Sequence, residues 1–499
     1  MVMKNIILLF ISLCIVGFIM LLEDSSQEFI SEPTENSEEF VKISGNRFFL
    51  KGKPFNSVAV NYIVSFQTDG KTLWPTPTTD YHNDSIIELL AQKSYAYNLL
   101  KADMMLIKSM GFNTIRIVGA GEEDIENRAA GLLSVRSYGK EGHQTFSLQS
   151  DKDYATYFNA LSRLFQIADS CGLKVVFLLK MRPEIKATEI HFKKLLKHFR
   201  NTNALLAIDL FNEPLYFDTL ERKKQAVVKI VNRWKKIRDM NAPNILLTIG
   251  LEGIREVFEW DPNILNVDFV SLHPYEYEPE QVRNEIYWYG KYIKKPWVIG
   301  ETSIPADNDS VPYEEQLKFA KKTILQSYHC GAAGYSWWQY KDVNWNKFHP
   351  NYMGLLNRKG ITQIPGDSLF TFGSIKPTAN VFKTISSIIP QKEKCICLNN
   401  YYNYSRNNQF RITGKLLDEN KRPIKGGVIL AWNEWWSHSY HTVTKSDGSF
   451  ELFSEYKFFH WMASATEYEM IRGDINPDTS KSTGNIPTIN LGVLEIKKL

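Results

Sequence analysis

Two short stretches carry the residues best suited to breaking a bond. One is Asp209-Leu210-Phe211-Asn212-Glu213-Pro214, the other Trp297-Val298-Ile299-Gly300-Glu301-Thr302-Ser303. Each sets a glutamate at the end of an apolar run of strand length. A lone glutamate in such a place is as readily a salt-bridge partner or a neighbour of a helix N-cap. Two of them at strand ends, one preceded by an asparagine, favour a paired-carboxyl reaction. Cleavage of a glycosidic bond needs such a pair: one carboxyl holds a proton for the leaving oxygen, and the other is ionised and attacks or activates a water. Like charges a few ångström apart drive the two pKa values apart. Glu213 and Glu301 are therefore the expected catalytic residues. Asn212 supplies an amide for the sugar 2-hydroxyl, a contact that strengthens in the transition state.

Other polar residues end neighbouring apolar runs. Arg116 can orient the attacking carboxylate and keep it ionised. In Leu272-His273-Pro274-Tyr275, the Tyr275 hydroxyl can donate to that carboxylate. His273 is a candidate for sugar hydroxyls, with a satisfied structural histidine as the alternative. Asn61 and Tyr62 end the first run, and Asn61 joins the substrate-binding candidates. Trp337 and Trp338 end the last run. Successive strand residues alternate in direction, so one of the two floors the site and the other is core.

These residues need a scaffold that brings distant strand ends together. Apolar runs at 57–62, 113–118, 173–179, 205–211, 245–249, 267–272, 297–300 and 333–338 alternate with helical periodicity near 94–110, 152–170, 188–199, 222–240, 253–259, 279–293, 313–329 and 376–388. Eight near-continuous apolar strands, each followed by a helix, predict a parallel sheet closed into a (β/α)₈ TIM barrel. All eight strand ends then face one mouth, where such barrels do their chemistry. A doubly wound open sheet is the alternative, but no G-x-G-x-x-G follows an early strand. The segment 47–55 reads as a hairpin capping the closed end. After residue 400 short alternating segments are separated by turn signals such as Gly426-Gly427 and Asp447-Gly448, which predicts a small β-sandwich.

From about 45 to 390 the chain resembles glycoside hydrolase family 5, within the retaining (β/α)₈ clan whose two glutamates end strands four and seven. The matching residues are Arg116, Asn212, Glu213, His273, Tyr275, Glu301 and Trp337 or Trp338. The resemblance implies Glu213 as acid/base and Glu301 as nucleophile. It departs at Leu179-Lys180-Met181-Arg182-Pro183, where many members carry a histidine near the end of strand three. The tail is similar to carboxypeptidase-regulatory-like β-sandwich modules, through Ile412-Thr413-Gly414 and Ser446-Asp447-Gly448-Ser449-Phe450. Trp432, Trp435 and Trp436 there form a sugar platform or, as the favoured reading, core.

The expected layout is an apolar signal or anchor at 1–22, an acidic tether at 23–40, the catalytic barrel at 41–392 and the sandwich at 405–499. Lys4 precedes the apolar run 6–22, and seven acidic residues follow within 23–39. The run is near the lower limit for crossing a bilayer, about 17–25 residues, so a cleaved signal and a retained anchor both stay open. An exported protein is expected: secreted, periplasmic or held at the cell surface. With a formal net charge of only +4 and no basic stripe, a nucleic-acid partner is excluded. The basic stretch 222–238 carries Val227, Val231 and Trp234 at helical spacing and reads as an amphipathic helix with a solvated face. Five cysteines without metal-type spacing predict no metal site and no disulfide framework. No cofactor is required, and a monomer is expected. The activity expected is retaining endo-hydrolysis of a β-1,4-linked mannan or glucan. Its rivals are an exo-acting β-glycosidase and a non-catalytic surface glycan-binding protein.

Overall fold

The computed structural model describes residues 37–499, apart from 122–132, 140–141, 185, 218–219, 277, 346, 386–393, 400, 403–408, 436, 478–480 and 484–485. The apolar run 1–22 and nearly all of the acidic tether lie outside the described residues. Glu38–Leu499 forms one compact unit.

Eight parallel strands close into a barrel. They are β1 (Ser57–Thr68), β2 (Thr114–Val118), β3 (Lys174–Leu178), β4 (Leu205–Asn212), β5 (Leu246–Leu251), β6 (Val270–Leu272), β7 (Trp297–Ile299) and β8 (Gly334–Trp337). Neighbours pair in chain order, and β8 pairs with β1 through Gly334↔Ser57 and Trp337↔Val60. The helices that cover it are α1 (Lys93–Ser109), α2 (Asp151–Ser170), α3 (Lys186–Phe199), α4 (Lys224–Asn241), α5 (Gln281–Tyr292), α6 (Tyr313–His329) and the short α7 (Ala379–Lys383); a 3₁₀ turn, Gly253–Phe258, replaces the helix after β5. The strands are apolar along most of their length because the helices cover one face and the filled barrel interior the other.

Local sequence explains the helices. The Ser150 hydroxyl accepts from Asp153 N–H, and the Asp153 carboxylate accepts from Ser150 N–H, so α2 starts in a capping box. Tyr157, Leu161, Leu164, Phe165 and Ala168 then recur every three to four residues and form its buried face. In α4 the buried face holds Val227, Val231 and Trp234 as expected, but Lys224 and Arg238 are buried too. Each has a carboxylate partner, Asp261 for Lys224 and Asp268 for Arg238, so at both ends of the helix a basic residue is buried rather than solvated.

Three small antiparallel strands, Lys42–Ser44, Arg47–Leu50 and Lys53–Pro54, form the expected cap. Phe48 meets Phe269 edge-on at 5.1 Å, and together with Val41, Leu206, Leu246 and Ala333 they seal the closed end.

The C-terminal region is a sandwich of two four-stranded sheets. Its strands are β9 (Phe410–Asp418), β10 (Val428–Trp432), β11 (Ser439–Val443), β12 (Ser449–Ser454), β13 (His460–Ser464), β14 (Ile471–Asp474), β15 (Lys481–Thr483) and β16 (Ile486–Ile496), ordered β12-β9-β16-β15 and β11-β10-β13-β14. Ile412, Leu416, Ile429, Phe450, Leu452 and Ile496 fill the space between the sheets. Val428, Leu430, Trp432, Val443 and Met462 instead join the apolar core of the barrel. Trp432 is buried beside His460, Trp435 is 79 % exposed, and Trp436 lies outside the described residues.

One expectation about cysteines fails. Cys330, which caps α6, bonds to Cys395, with Cα atoms 4.6 Å apart. The spacing along the chain hides this pairing, because the segment after α7 returns past the end of α6. Cys171 and Cys397 are free.

Candidate active site

The site is assembled from strand ends. In β4 the pairing with β5 slips between Asp209 and Asn212, and Glu213 follows with φ of 47°. That left-handed backbone is unfavourable for a side chain bearing a Cβ, and it is held here by Glu213 N–H donating to Gly250 O at 2.7 Å. Glu301 follows β7 after the single residue Gly300. One carboxylate oxygen of each glutamate and a His273 nitrogen all lie within 4.8 Å of one another.

Arg116, on β2, organises the floor. Its Nε donates to Asp209 Oδ2 at 2.9 Å, and Nη1 donates to Asn61 Oδ1 at 2.9 Å and Glu301 Oε1 at 2.5 Å. Nη2 reaches Asn212 Oδ1 at 2.7 Å and Asp209 Oδ2 at 2.8 Å. All three guanidinium nitrogens are engaged by protein acceptors, so Arg116 faces protein rather than a sugar. The side chain is 2 % exposed. It binds no substrate but positions Glu301, the orienting role its strand end suggests, and Asn212 as well.

The substrate-binding reading of Asn61 is corrected for the same reason. It is fully buried, donates to Gly300 O, Ser336 Oγ and Trp337 O, and accepts from Arg116. His273 is also beneath the surface, at 1 % exposure. Its Nδ1 is 2.9 Å from Glu213 Oε1 and 3.7 Å from Glu301 Oε1, and its Nε2 is 3.4 Å from Ser271 Oγ. Both ring nitrogens face protein groups, so the sugar-binding reading of His273 gives way to a link between the two glutamates. Tyr275 Oη donates to Glu301 Oε2 at 3.2 Å, as expected. Tyr62 instead turns away and donates to Asp103 Oδ2.

The paired tryptophans separate as strand alternation requires. Trp337 is fully buried, its ring lies against Phe319 of α6 and Phe382 of α7, and its Nε1 donates to Met353 O. Of the two, Trp337 is therefore the core residue and makes no sugar contact. Trp338 is half-buried at the mouth. Where the family resemblance departs, Arg182 places its guanidinium over the Phe211 ring at 5.3 Å.

The electrostatics separate the two carboxyls. Burial raises Glu213 to about 7, against the pull of Arg116 and Arg255. Burial raises Glu301 as well, with His273 and Arg116 opposing it. Two donors, Arg116 and Tyr275, address the two oxygens of Glu301, and hydrogen bonds to the charged form favour its carboxylate. Burial lowers His273 to about 4, so the imidazole is neutral at neutral pH. The spacing of Glu213, His273 and Glu301 also suits a cation. However, the Arg116 guanidinium already brings positive charge against Glu301 and disfavours one there.

Several members of this network had no role assigned from sequence. Asp209 is fully buried, accepts from Arg116 and takes Gly250 N–H on Oδ1. Its signal was an acidic residue inside the apolar run 205–211, which demands a buried partner. Gly250 and Gly300 leave room for His273: a Cβ on either would come within 2.7 Å of the imidazole.

Beside the mouth lies a cavity of about 1090 Å³. Tyr275, Glu252, Arg255 and Tyr216 line it from the barrel, and Tyr440 and His441 from the sandwich. No helix among the described residues is long and apolar enough to cross a membrane.

Residues 88–341 match the model of the cellulase family, glycosyl hydrolase family 5. No curated protein matches the chain by sequence. Among solved structures, the chain is similar to an exo-beta-1,4-mannosidase from Opitutaceae bacterium strain TAV5, at 16 % identity, TM-score 0.49, covering 69 % of this chain and 62 % of that one. It is similar to a glycoside hydrolase family 5 mannosidase from Rhizomucor miehei at 16 % identity and TM-score 0.45, covering 71 % and 98 %. A Bacteroides uniformis beta-glucuronidase follows at 13 % and 0.44, covering 91 % and 48 %. The chain thus spans less than two thirds of the first mannosidase and about half of the glucuronidase. With a family model that covers 254 of its 499 residues and a closed barrel of eight parallel strands, the chain belongs to glycosyl hydrolase family 5.

Proposed function

We propose that the protein hydrolyses β-linked glycans with retention of anomeric configuration, Glu301 acting as nucleophile and Glu213 as acid/base. The observation that carries this reading is the approach of the two carboxyls to within 4.8 Å, with His273 between them. Retaining enzymes hold their carboxyls about 5–5.5 Å apart, whereas inverting ones leave about 6.5–9.5 Å for a water. Glu301 attacks the anomeric carbon while the proton of Glu213 passes to the departing oxygen. The glycosyl ester is then opened by water, whose proton returns to Glu213. Neutral His273 donates Nδ1–H to Glu213 Oε1 and accepts from Ser271 on Nε2. Glu213 Oε2 is thereby left to carry the mobile proton. The Nδ2 donors of Asn212, turned away from Arg116, serve the sugar 2-hydroxyl.

The substrate expected is a β-1,4-linked mannan or glucan, cut internally. The wall that Tyr440 and His441 add beside the mouth favours a second reading, attack at chain ends or on short oligosaccharides. Exposed Tyr216 and half-buried Phe348 offer ring faces in the same cavity. We also propose export, with the 6–22 run as the address. The Cys330–Cys395 bond suits an oxidising compartment.

The test is hydrolysis of β-mannans, β-glucans, xylans and aryl β-glycosides by the wild type, Glu213→Gln and Glu301→Gln. Retention of configuration in the first product, followed by proton NMR, is expected, and inversion would overturn the mechanism. A rapid fall in viscosity per reducing end marks internal cleavage; release of one sugar at a time marks chain-end action.

A further inference from the structure

A second group of ionisable side chains lies beside the cavity and outside the catalytic machinery. Glu276 follows Tyr275 in the loop after β6, Glu285 is on α5, and His441 comes from β11 of the sandwich. Their side chains are 8 %, 3 % and 4 % exposed. Glu276 Oε1 lies 3.5 Å and Glu285 Oε1 3.8 Å from His441 Nε2, and one donor atom of each residue lies within 4.8 Å of the other two.

The geometry around the group is one-sided. Glu285 is anchored through Oε2, which accepts from Tyr289 Oη and from Ile254 N–H, and its Oε1 is left facing the other two residues. Glu276 Oε1 is buried and meets no N–H or O–H donor among the described residues, while burial and a hydrogen bond with Glu285 hold its carboxyl well above the usual range. Such an orphaned acceptor is rare in a folded protein and calls for an occupant. The guanidinium that faces the group, Arg255, is engaged by Glu252 at 2.5 Å. Two carboxyl groups therefore share a buried space, a pairing that is strongly unfavourable unless a proton or a cation lies between them. A divalent cation supplies the needed positive charge in full.

We propose that Glu276, Glu285 and His441 bind one divalent transition-metal ion, of the zinc or manganese kind, which ties the sandwich to the barrel at the edge of the active-site cavity. An imidazole beside two carboxylates suits such ions better than calcium or magnesium, which favour all-oxygen sites. The measured separations leave a point within about 2.4 Å of all three donor atoms, against zinc–nitrogen and zinc–oxygen bonds of roughly 2.0–2.2 Å. Shifts of a few tenths of an ångström close the shell. Glu276 and His441 both line the cavity, so the remaining coordination position opens toward it, within reach of water or a sugar hydroxyl.

The experiment uses the full chain, stripped with a chelator, dialysed, and titrated with Zn²⁺ and with Mn²⁺ by calorimetry while thermal unfolding is followed. One ion per chain and a Tm raised by several degrees are expected for the wild type. His441→Gln and Glu276→Gln lose both, and Glu301→Gln keeps both. If the wild type takes up no more metal than His441→Gln, or if Glu301→Gln is the variant that loses the ion, the proposal is overturned. Should His441→Gln fail to fold, Glu276→Gln, which exchanges one oxygen for an amide nitrogen, makes the same comparison.

Discussion

All three guanidinium nitrogens of Arg116 are held by protein acceptors, and this sets a sharp expectation for its replacement. Lysine keeps the charge but has three donors on a single nitrogen and cannot bridge Asp209, Asn61, Glu301 and Asn212 together. Arg116→Lys should lower kcat by about 10²-fold or more and leave KM nearly unchanged, because orientation rather than binding is lost. Glu301→Gln and Glu213→Gln should each lose a factor on the order of 10³ or more on natural glycans. Glu213→Gln should keep more activity on aryl glycosides whose leaving group needs no proton. The raised Glu213 gives a pH prediction with a definite sign. Its proton must be in place for the first step, so kcat/KM should fall as pH rises through about 7. Stability follows the same direction. The folded value lies above the ordinary 4.5, so the preference for the neutral carboxyl is fully present below 4.5 and lost as pH rises through about 7. Glu213→Gln keeps a neutral group there. Its thermal stability relative to wild type should grow between pH 5 and pH 8, by on the order of 3 kcal/mol. The two glutamates were legible because each ends an apolar run inside a distinctive motif. The buried role of Asn61 was not, nor was the choice between the two readings of His273, because sequence shows that a polar residue ends a strand but not whether its donors are already consumed below the surface.

At the scale of elements, strand positions were readable to within a few residues, since eight apolar runs have few other uses. The ends were less so: β1 runs on to Thr68 because Leu73–Pro77 pairs with its extension, and no periodicity announces that partner. Two further features follow from how elements meet. Gly300 ends β7 where a Cβ would stand 1.9 Å from Ser271 Oγ and 2.7 Å from His273 Nε2. Gly300→Ala should displace the imidazole and cut kcat more than it lowers Tm, measured as rate and unfolding on the same sample. The Cys330–Cys395 bond closes a 65-residue separation and ties the returning chain to the end of α6. Chain-entropy reasoning gives such a crosslink about 2–4 kcal/mol. Cys395→Ser, or reductant added to the wild type, should lower Tm accordingly. Two cysteines so far apart in sequence gave no hint of this, as only the folded return path brings them together.

Across the whole molecule, barrel and sandwich share apolar packing and polar contacts. Trp288 Nε1 donates to Gly426 O, and Lys224 Nζ donates to Asp261 Oδ2 and Ala465 O, each at 3.0 Å or less. Asp261 also accepts from Glu467 N–H at 2.6 Å. One cooperative thermal transition for the full chain is therefore expected, and calorimetry resolving two separate transitions would contradict it. The sequence showed the two architectures by their different periods but gave no sign of the seam, because Lys224 reads as one more cation in a basic helix. That seam bears on how such a protein can be recombined. Lys224 is 2 % exposed and Asp261 wholly buried, and both draw on backbone groups that the sandwich alone provides. A foreign module of the same fold, lacking a carbonyl and an amide at those two spots, would leave the pair short of partners inside the joint. Chimeras built on this barrel should assemble only when Lys224 and Asp261 are exchanged together for apolar residues, so that the joint and the module are inherited as one piece.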